Sequence, residues 1–391
     1  MRERLVEASI LLIKSNQHSS GAYIASPSFP TYSYCWLRDG AYIAHAMDLY
    51  GEHDSAKAFF RWVNATLSKN RIAHVGHASD AGYIGNEQRE WRERSVEHVR
   101  HSLRARWTLD GERDNSEWPN YQPDGYGAWL WALDEHIRRT GDLDLWEESR
   151  EIAEYVVSCI SQVWLMPSSD CWEENPEKVH TSTLACIGGG VEKIARRMCD
   201  EQGLALADTI KDYVLRHGVF NGRLAKFCSN ERQGEQWPPE ECTHAGPSIG
   251  DSVDASLLWA ALPYGLFDVN NPLIVRTVSA IERSLVSEQG VHRYATDTYY
   301  GGGLWLIHTA WLGWYYCETA DLEKALECLA WMEGQATEDY CLPEQVSRDL
   351  IDPTLYEPWV ACWGLSANPL LWSHAMYLIL HRALEARCRE V

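Results

Sequence analysis

Residues 124–164 read DGYGAWLWALDEHIRRTGDLDLWEESREIAEYVVSCISQVW, and this stretch decides the fold. Two runs with apolar residues at helical spacing stand on either side of GDLD, a polar connection at 141–144. Apolar positions that recur about every 3.6 residues indicate amphipathic helices. The stretch therefore predicts two consecutive helices, near 123–141 and 144–165, that form a helical hairpin.

The same periodicity recurs along the chain, whereas the alternating patterns of strands are scarce. It predicts twelve main helices, over residues 2–15, 39–50, 54–69, 123–141, 144–165, 179–200, 203–217, 252–264, 270–288, 304–318, 321–336 and 370–388. A further charged helix is predicted near 88–108, within a long connection.

Short and long connections alternate between these helices. The short ones include GEHD (51–54), GDLD (141–144), DEQG (200–203) and TAD (319–321). The long ones run over 16–38, 70–122, 166–178, 218–251, 289–303 and 337–369. This alternation predicts six helical hairpins closed into a ring, which is an all-α (α/α)6 barrel formed by a single domain over residues 1–391. The long connections then gather on one face, where function is expected.

Sequences that combine polar and aromatic residues fall in or at the ends of these long connections. They are YSYCWLRDG (32–40), WPNYQPDGYG (118–127), CWEENP (171–176), QWPPEECTHAGPSIGDS (236–252), HRYATDTYYGGG (292–303) and LPEQ (342–345). All of these clusters are therefore predicted to lie on the same face of the barrel.

The composition argues against several classes of partner. The formal net charge is −21, which argues against nucleic acid, whose phosphates attract Lys and Arg, and against an anionic membrane surface. The chain has 19 Trp and 19 Tyr but only 6 Phe. Trp and Tyr combine a flat apolar face with a polar edge, which suits the rings of a small carbohydrate.

The 12 cysteines are scattered and none forms a C-x-x-C pair, which is typical of free thiols in a reducing compartment. The N-terminal segment lacks the pattern of a signal peptide, and no run is long and apolar enough to cross a membrane, so we expect a cytoplasmic protein. His98 and His101 have a helical spacing but no accompanying ligand pattern. Neither a metal site nor a cofactor is predicted.

Glu173 and Glu344 are the candidate catalytic residues. They lie far apart in sequence, each in a loop beside an aromatic residue or a proline. Two separated carboxylates in a cleft rich in aromatic rings suit glycoside hydrolysis, in which one protonates the leaving oxygen and the other activates water or acts as the nucleophile. The alternative is a solvated surface pair for Glu173 and Glu174, and a polar position flanking a helix for Glu344.

The sequence WLRD, residues 36–39, offers a second candidate contact with a sugar. The guanidinium of Arg38 and the carboxylate of Asp39 suit adjacent hydroxyl groups of a terminal ring. Alternatively, Asp39 caps the following helix and Arg38 pairs with it. The two roles of Asp39 are compatible.

Together these motifs resemble glycoside hydrolase family 15, the glucoamylase family. The matching elements occur in the family's order over about residues 20–380: Tyr32 with WLRD (36–39), Trp118 with QPDG (122–125), WEE (172–174), RY…YYGGGLW (293–305), LPEQ (342–345) and PLLWSHA (369–375). The family's fold is an (α/α)6 barrel, in agreement with the helix pattern.

The resemblance implies that Glu173 is the general acid and Glu344 the general base of an inverting hydrolase, which releases β-glucose from a non-reducing end. Inversion requires the two carboxyl groups to be about 6.5–9.5 Å apart. The resemblance implies substrate contacts for Tyr32, Trp36, Arg38, Asp39, Trp118, Trp172, Glu174, Arg293 and Trp305. It also assigns Trp372 and Ser373 to the helix packing behind the base.

The sequence departs from many members of that family. We expect neither their N-terminal β-sandwich nor a starch-binding module, and Asn120 and Tyr121 stand where fungal members carry an arginine nearby. We therefore expect short α-glucosides such as isomaltose or maltose, with α-1,6 links favoured. Two alternatives stay open: a trehalase-like hydrolase, and a non-catalytic binding or regulatory protein of the same fold.

Overall fold

The computed structural model describes residues 2–71, 96–114, 116–229 and 253–390, and these ranges are mostly helical. The helices are α1 (Arg2–Ser15), α2 (Leu37–Leu49), α3 (His53–Asn70), α4 (96–102), α5 (Asp124–Thr140), α6 (Leu143–Val163), α7 (Thr181–Met198), α8 (Glu201–His217), α9 (Pro272–Leu285), α10 (Leu306–Glu318), α11 (Leu322–Glu333), α12 (Tyr356–Trp363) and α13 (Leu371–Glu390). Short 3-10 helices occupy Pro30–Tyr32, Ala255–Ala260, Tyr299–Gly301 and Pro353–Leu355.

Helices α5 and α6 form the hairpin predicted for residues 124–164. Gly141 ends α5 with a φ of +69°, a left-handed conformation that glycine adopts without strain. The side chain of Asp142 then accepts a hydrogen bond from the amide of Leu145 (3.0 Å) and caps the first turn of α6. These two residues reverse the chain within a short connection.

Two concentric rings of helices form the barrel. The inner ring runs through α2, α5, α7, the 3-10 helix Ala255–Ala260, α10 and α13, and α13 contacts α2 again. Each inner element packs against the outer helix of its own hairpin, and these outer helices are α3, α6, α8, α9, α11 and α1 in the same order. Because α1 packs against α13, the two ends of the chain complete the sixth hairpin. The predicted (α/α)6 barrel is confirmed.

The helix predicted at 252–264 is wrong. The inner element of this hairpin is the 3-10 helix Ala255–Ala260, followed by a turn. The buried side chain of Asp254 accepts a hydrogen bond from the amide of Ser256 (2.8 Å), and Leu262 precedes Pro263, a position that disfavours the α conformation. A full α-helix is therefore interrupted at both ends of the segment.

The charged helix predicted near 88–108 is correct only in part. Its first residues, up to 95, lie outside the described ranges, and the helix ends at 102. Residues 106 and 107 instead form strand β2 (Arg106–Trp107), which pairs with strand β1 (Cys35–Trp36). This pairing takes up backbone groups that would otherwise continue the helix.

Short antiparallel strands fix the long connections. Besides β1 and β2, a hairpin joins β3 (Val219–Phe220) to β4 (Arg223–Leu224). A four-stranded sheet has the order β5 (Val286–Ser287), β6 (Gly290–Val291), β7 (Leu304–Trp305) and β8 (Gln345–Val346). β8 begins directly after Glu344, so the sheet fixes the backbone beside this candidate base.

Large aromatic side chains fill the centre of the inner ring. The rings of Tyr42, Trp131, Trp259, Trp311 and Trp372 contact one another with centroids 5.2–6.4 Å apart, and all five residues are buried. This packing closes the barrel beneath the long connections. Among the described helices, none combines the length and apolar character needed to span a membrane.

Candidate active site

A cavity of about 340 Å³ opens among the long connections. The first, second, third, fifth and sixth of these connections contribute to its wall, together with the first residues of α2 and α13. Every residue predicted for the site lines it: Tyr32, Trp36, Arg38, Asp39, Trp118, Trp172, Glu173, Glu174, Arg293, Trp305 and Glu344. The polar and aromatic sequence at 236–252 lies outside the described residues.

Glu173 lies in a tight loop between α6 and α7. The carboxylate of Asp170 accepts hydrogen bonds from the amides of Trp172 (3.0 Å) and Glu174 (2.9 Å). The enclosed Glu173 takes a left-handed conformation with a φ of +68°. Such a conformation is strained in a residue other than glycine, and this kind of strain concentrates at functional sites.

One carboxylate oxygen of Glu173 is saturated with donors. Its Oε1 accepts hydrogen bonds from the indole N–H groups of Trp36 (2.8 Å) and Trp118 (2.8 Å). The side-chain amide of Gln122 donates a third (3.0 Å). Within the described ranges, no hydrogen bond reaches Oε2 of Glu173. A proton on this carboxyl group is therefore expected on Oε2, since Oε1 already accepts three bonds.

Glu344 is buried and carries a perturbed pKa. Its Oε1 accepts a hydrogen bond from the hydroxyl of Tyr32 (3.0 Å), and its Oε2 accepts one from the hydroxyl of Tyr299 (3.2 Å). Burial raises the pKa of Glu344 to about 7, although the hydrogen bond from Tyr32 and the charge of Arg293 oppose the rise. Its charge therefore changes near neutral pH.

The backbone on either side of Glu344 is tied to the start of α13. The amide of Glu344 donates to the carbonyl of Ala367 (2.8 Å), and the hydroxyl of Ser373 donates to the carbonyl of Pro343 (2.8 Å). Ser373 thus packs behind the candidate base, where the family resemblance places it. Trp372 also lines the cavity, in addition to its place in the inner ring.

Arg38 and Asp39 form an ion pair in the wall of the cavity. Nη1 of Arg38 donates to the carboxylate of Asp124 (3.0 Å) and to the side-chain oxygen Oε1 of Gln122 (3.0 Å). Nε of Arg38 lies 3.4 Å from Oδ1 of Asp39, so the pairing of Arg38 with Asp39 that the sequence offered as an alternative is present. Both atoms are buried, and neither makes a hydrogen bond in the part of the chain that the structure describes. A guanidinium and a carboxylate side by side in a cavity wall suit neighbouring hydroxyl groups of a ligand.

Asp39 does not occupy the cap position of α2. Trp36 is the N-cap residue, and Asp39 lies within the first turn. The alternative in which Asp39 caps the helix is therefore wrong. Burial raises the pKa of Asp39 to about 7, and the neighbouring Arg38 opposes the rise.

Glu174 and Arg293 form a charged pair on the cavity wall. Arg293 donates to Glu174 (3.1 Å), and its Nε donates to the buried Asp297 (2.7 Å). The hydroxyl of Tyr294 donates to the other carboxylate oxygen of Glu174. Burial raises the pKa of Glu174, while the charge of Arg293 opposes the rise.

Trp172 is held by a buried ion pair outside the predicted motifs. Its indole N–H donates to both carboxylate oxygens of Asp254 (3.1 and 3.2 Å). Asp254 lies 2.9 Å from the ammonium group of Lys226, which is also 3.4 Å from the carboxylate of Asp170. Lys226 had no sequence signal, because it stands alone after a short hairpin and belongs to no motif.

Besides Trp372, four aromatic residues line the cavity without having been predicted for the site: Phe29, Tyr299, Trp359 and Trp363. Tyr299 lies in the YYGGG motif, which offered a signal for it. Trp359 and Trp363 belong to α12, a helix that lies in the last long connection and was not predicted.

The fold and the cavity together define the class of protein. An (α/α)6 barrel that places two carboxylates, Glu173 and Glu344, among indole rings and charged hydrogen-bonding groups has the arrangement of a glycoside hydrolase. The family model of the glycosyl hydrolases family 15 matches residues 1–330. The chain therefore belongs to glycosyl hydrolases family 15, and it is a glycoside hydrolase.

Individual relatives agree with this assignment. An isomaltose glucohydrolase of Kribbella flavida is 35% identical over 386 residues, which cover 96% of this chain and 91% of the relative. Trehalase 1 of Sulfolobus acidocaldarius is 23% identical over 303 residues, which cover 76% of this chain and 48% of the relative. A solved structure of a wild-type glycosidase is 34% identical and superposes with a TM-score of 0.83, covering 98% of this chain and 97% of that chain.

Proposed function

We propose that the protein is an exo-acting, inverting hydrolase that releases β-glucose from the non-reducing end of short α-gluco-oligosaccharides. The observation that carries this proposal is that Glu173 and Glu344 line one cavity in different environments. Indole and amide N–H groups hold Glu173, whereas two tyrosine hydroxyls hold the buried Glu344. Two carboxyl groups that face the same cavity can act on one glycosidic bond, one as the acid and the other as the base.

In the proposed reaction, Glu173 donates a proton from Oε2 to the glycosidic oxygen. Glu344 accepts a proton from the water whose oxygen attacks the anomeric carbon. The new bond forms on the face opposite to the breaking bond, so an α-glucoside yields β-glucose. Tyr32 and Tyr299 hold the Glu344 carboxylate in place through their hydroxyl groups. The reaction needs no metal ion and no cofactor.

The remaining cavity residues bind the substrate in this proposal. Arg38 and Asp39 bind hydroxyl groups of the terminal glucose, and Glu174 and Arg293 contact the leaving sugar. Indole rings contribute apolar surface for the sugar faces: Trp36, Trp118, Trp172 and Trp305. The volume of about 340 Å³ is near the lower end of the range for small-molecule sites, which supports a short substrate.

Relatives of the chain favour two linkages. The isomaltose glucohydrolase, which is 35% identical over most of both chains, supports an α-1,6 preference. The more distant trehalase supports α,α-trehalose as a second candidate. We further infer a single catalytic domain, and a reducing compartment such as the cytoplasm because the cysteines in the described ranges are free thiols.

The first test is proton NMR of the purified protein with isomaltose, maltose, trehalose and a short dextrin. The anomeric signals are followed from the first minutes. We expect β-glucose to appear before α-glucose, and isomaltose to be cleaved fastest. Initial release of α-glucose would contradict inversion, and absence of glucose from every substrate would favour a glycoside hydrolase that acts on a different substrate.

Substitution of the two carboxylates tests their roles. We expect Glu173→Gln and Glu344→Gln each to lower kcat by on the order of 100-fold or more, because each removes a proton-transfer group. Glu177→Gln and Glu338→Gln are matched controls, since both glutamates are exposed and lie close in sequence to Glu173 and Glu344. Activity of E173Q or E344Q equal to that of its control would overturn that assignment.

A further inference from the structure

Helix α12 carries an aromatic surface that the barrel leaves open. Its sequence YEPWVACW is mostly apolar, yet none of its residues is buried. Trp359 and Trp363 line the catalytic cavity, and Trp363 is 53% exposed. Within the described residues, Trp359 packs against other aromatic rings, but Trp363 does not. An exposed indole beside a catalytic cavity is suited to bind a ligand with an apolar face.

Neighbouring residues fix the position of Trp363. Trp359 packs against the rings of Tyr299 and Tyr300, at centroid distances of 4.9 and 5.7 Å. The hydroxyl of Tyr300 donates to the carbonyl of Gly364 (2.9 Å), directly after the end of the helix. Because residues four apart share a face of a helix, Trp363 continues the wall that Trp359 begins. The indole is therefore presented by a rigid support, which lowers the entropic cost of binding.

The burial of the cavity residues indicates which part of a substrate would reach Trp363. Arg38, Asp39 and Glu344 are at most 7% exposed and form the closed end, whereas Trp363 is 53% exposed at the rim. An exo-acting hydrolase holds the terminal sugar at the closed end. The sugars beyond the cleaved bond must then extend toward the rim.

We infer that Trp363 forms a binding site for the hexose ring of the leaving group. The apolar C–H face of this ring stacks on the exposed face of the indole. The inference rests on the proposed function and adds a residue that determines preference for an oligosaccharide over a glucoside with a small leaving group.

The test compares substrates with and without a leaving sugar. We would measure kcat and KM of the wild-type protein, W363A, W363F and L365A on isomaltose, isomaltotriose and α-glucosyl fluoride, whose leaving group is a single ion. We expect W363A to lose about 3- to 10-fold more kcat/KM on the two oligosaccharides than on the fluoride, mostly through KM, since stacking contributes modestly. W363F keeps an aromatic face and retains most of the activity.

Leu365→Ala is the matched control, because Leu365 is 68% exposed beside α12 but does not line the cavity. L365A is expected to match the wild-type protein on all three substrates. An equal loss by W363A on every substrate, or no loss on the oligosaccharides, would overturn the inference while leaving the proposed function intact. A wild-type protein that cleaves none of the substrates would instead overturn the proposed function, and the inference with it.

Discussion

Glu344 is the residue whose charge most directly controls the proposed reaction. Burial raises its pKa to about 7, while the hydrogen bond from Tyr32, the charge of Arg293 and the hydrogen bond from Tyr299 lower it. A general base acts only in its ionised form. The proposed mechanism therefore predicts that kcat/KM rises as the pH rises through about 7.

Removal of one hydrogen-bond donor to Glu344 should shift the pH dependence of kcat/KM. Tyr299→Phe takes away a hydroxyl that stabilises the ionised carboxylate, so the pKa of Glu344 increases further. We expect the acidic limb of kcat/KM against pH to shift to higher pH in Y299F. Tyr340→Phe is the control, because Tyr340 does not line the cavity. If the acidic limb of kcat/KM lies at the same pH in Y299F and Y340F, a group other than Glu344 controls the rise of kcat/KM with pH.

Short motifs identified most of the residues around the carboxylates, but not all of them. Glu173, Glu344 and Arg38 stand in segments whose residue types match a known chemistry. Tyr299 and Tyr300 are adjacent, and the motif does not tell them apart. Tyr300 has a φ of +51°, donates to a backbone carbonyl and leaves Tyr299 to face Glu344. Only the fold of this turn decides which tyrosine reaches the carboxylate.

At the scale of structural elements, the loop that carries Glu173 depends on a cation from another connection. Lys226 follows β4 and lies close to the carboxylates of both Asp254 (2.9 Å) and Asp170 (3.4 Å). Its ammonium group is 3.8 Å from the ring centre of Tyr294, whose hydroxyl binds Glu174. Burial alone would lower the pKa of Lys226, but the two carboxylates raise it, so the side chain stays charged. One buried cation thus supports the groups that position the Glu173 loop.

Lys226→Met should impair catalysis without removing any group that contacts the substrate. Two buried carboxylates lose their counter-charge, and the turn around Glu173 loses its support. Because small displacements of a catalytic group are costly, we expect kcat to fall on the order of 100-fold with a smaller change in KM. K226R keeps the charge and should recover part of kcat.

Lys178→Met is the control for this prediction, since Lys178 lies in the same loop and, among the residues that the structure describes, pairs only with Glu177 at the surface (3.8 Å). Unfolding curves of all variants separate a loss of kcat from a loss of folded protein. Equal kcat values for K226M and K178M, or K226R no more active than K226M when both are folded, would contradict the positioning role.

The sequence predicted the helices that pack in the two rings of the barrel, but it did not predict the elements whose side chains line or support the cavity. The helices of both rings bury one side, and this produces a regular apolar spacing. Helix α12 buries no residue in the core, and its residues Trp359 and Trp363 line the cavity instead. Its sequence therefore lacks the regular apolar spacing of a helix that packs on one side. The α-helix predicted at 252–264 failed for a different reason. The side chain of Asp254 binds Ser256, Trp172 and Lys226, and the sequence pattern does not show these contacts.

At the scale of the whole molecule, hydrogen bonds connect the helices that close the barrel, α1 and α13, with the segment that carries Glu344. The ring of His374 in α13 connects Ser9 of α1 (2.9 Å from Nδ1) with the amide of Leu342 (3.0 Å from Nε2). Since the amide donates to Nε2, the proton of the neutral ring is on Nδ1 and is donated to Ser9. Burial lowers the pKa of His374 to about 3, so the ring stays neutral. Leu342 is two residues from Glu344, so the first helix supports the segment of the base.

Ser9→Ala tests whether this link holds the molecule together as one unit. The substitution leaves the buried N–H of His374 without an acceptor, and we expect the free energy of unfolding to fall by about 1–3 kcal/mol. Ser15→Ala is the control, because its exposed hydroxyl donates to the carbonyl of Leu12 in its own helix and accepts from the side-chain amide of the adjacent Asn16, so it makes no bond to α13. Because α1 and α13 close a single ring, urea unfolding followed by tryptophan fluorescence, circular dichroism and activity should give one coincident transition in both variants. Separate transitions would contradict the single domain, and equal stabilities of S9A and S15A would show that the bond to His374 does not contribute to the closure.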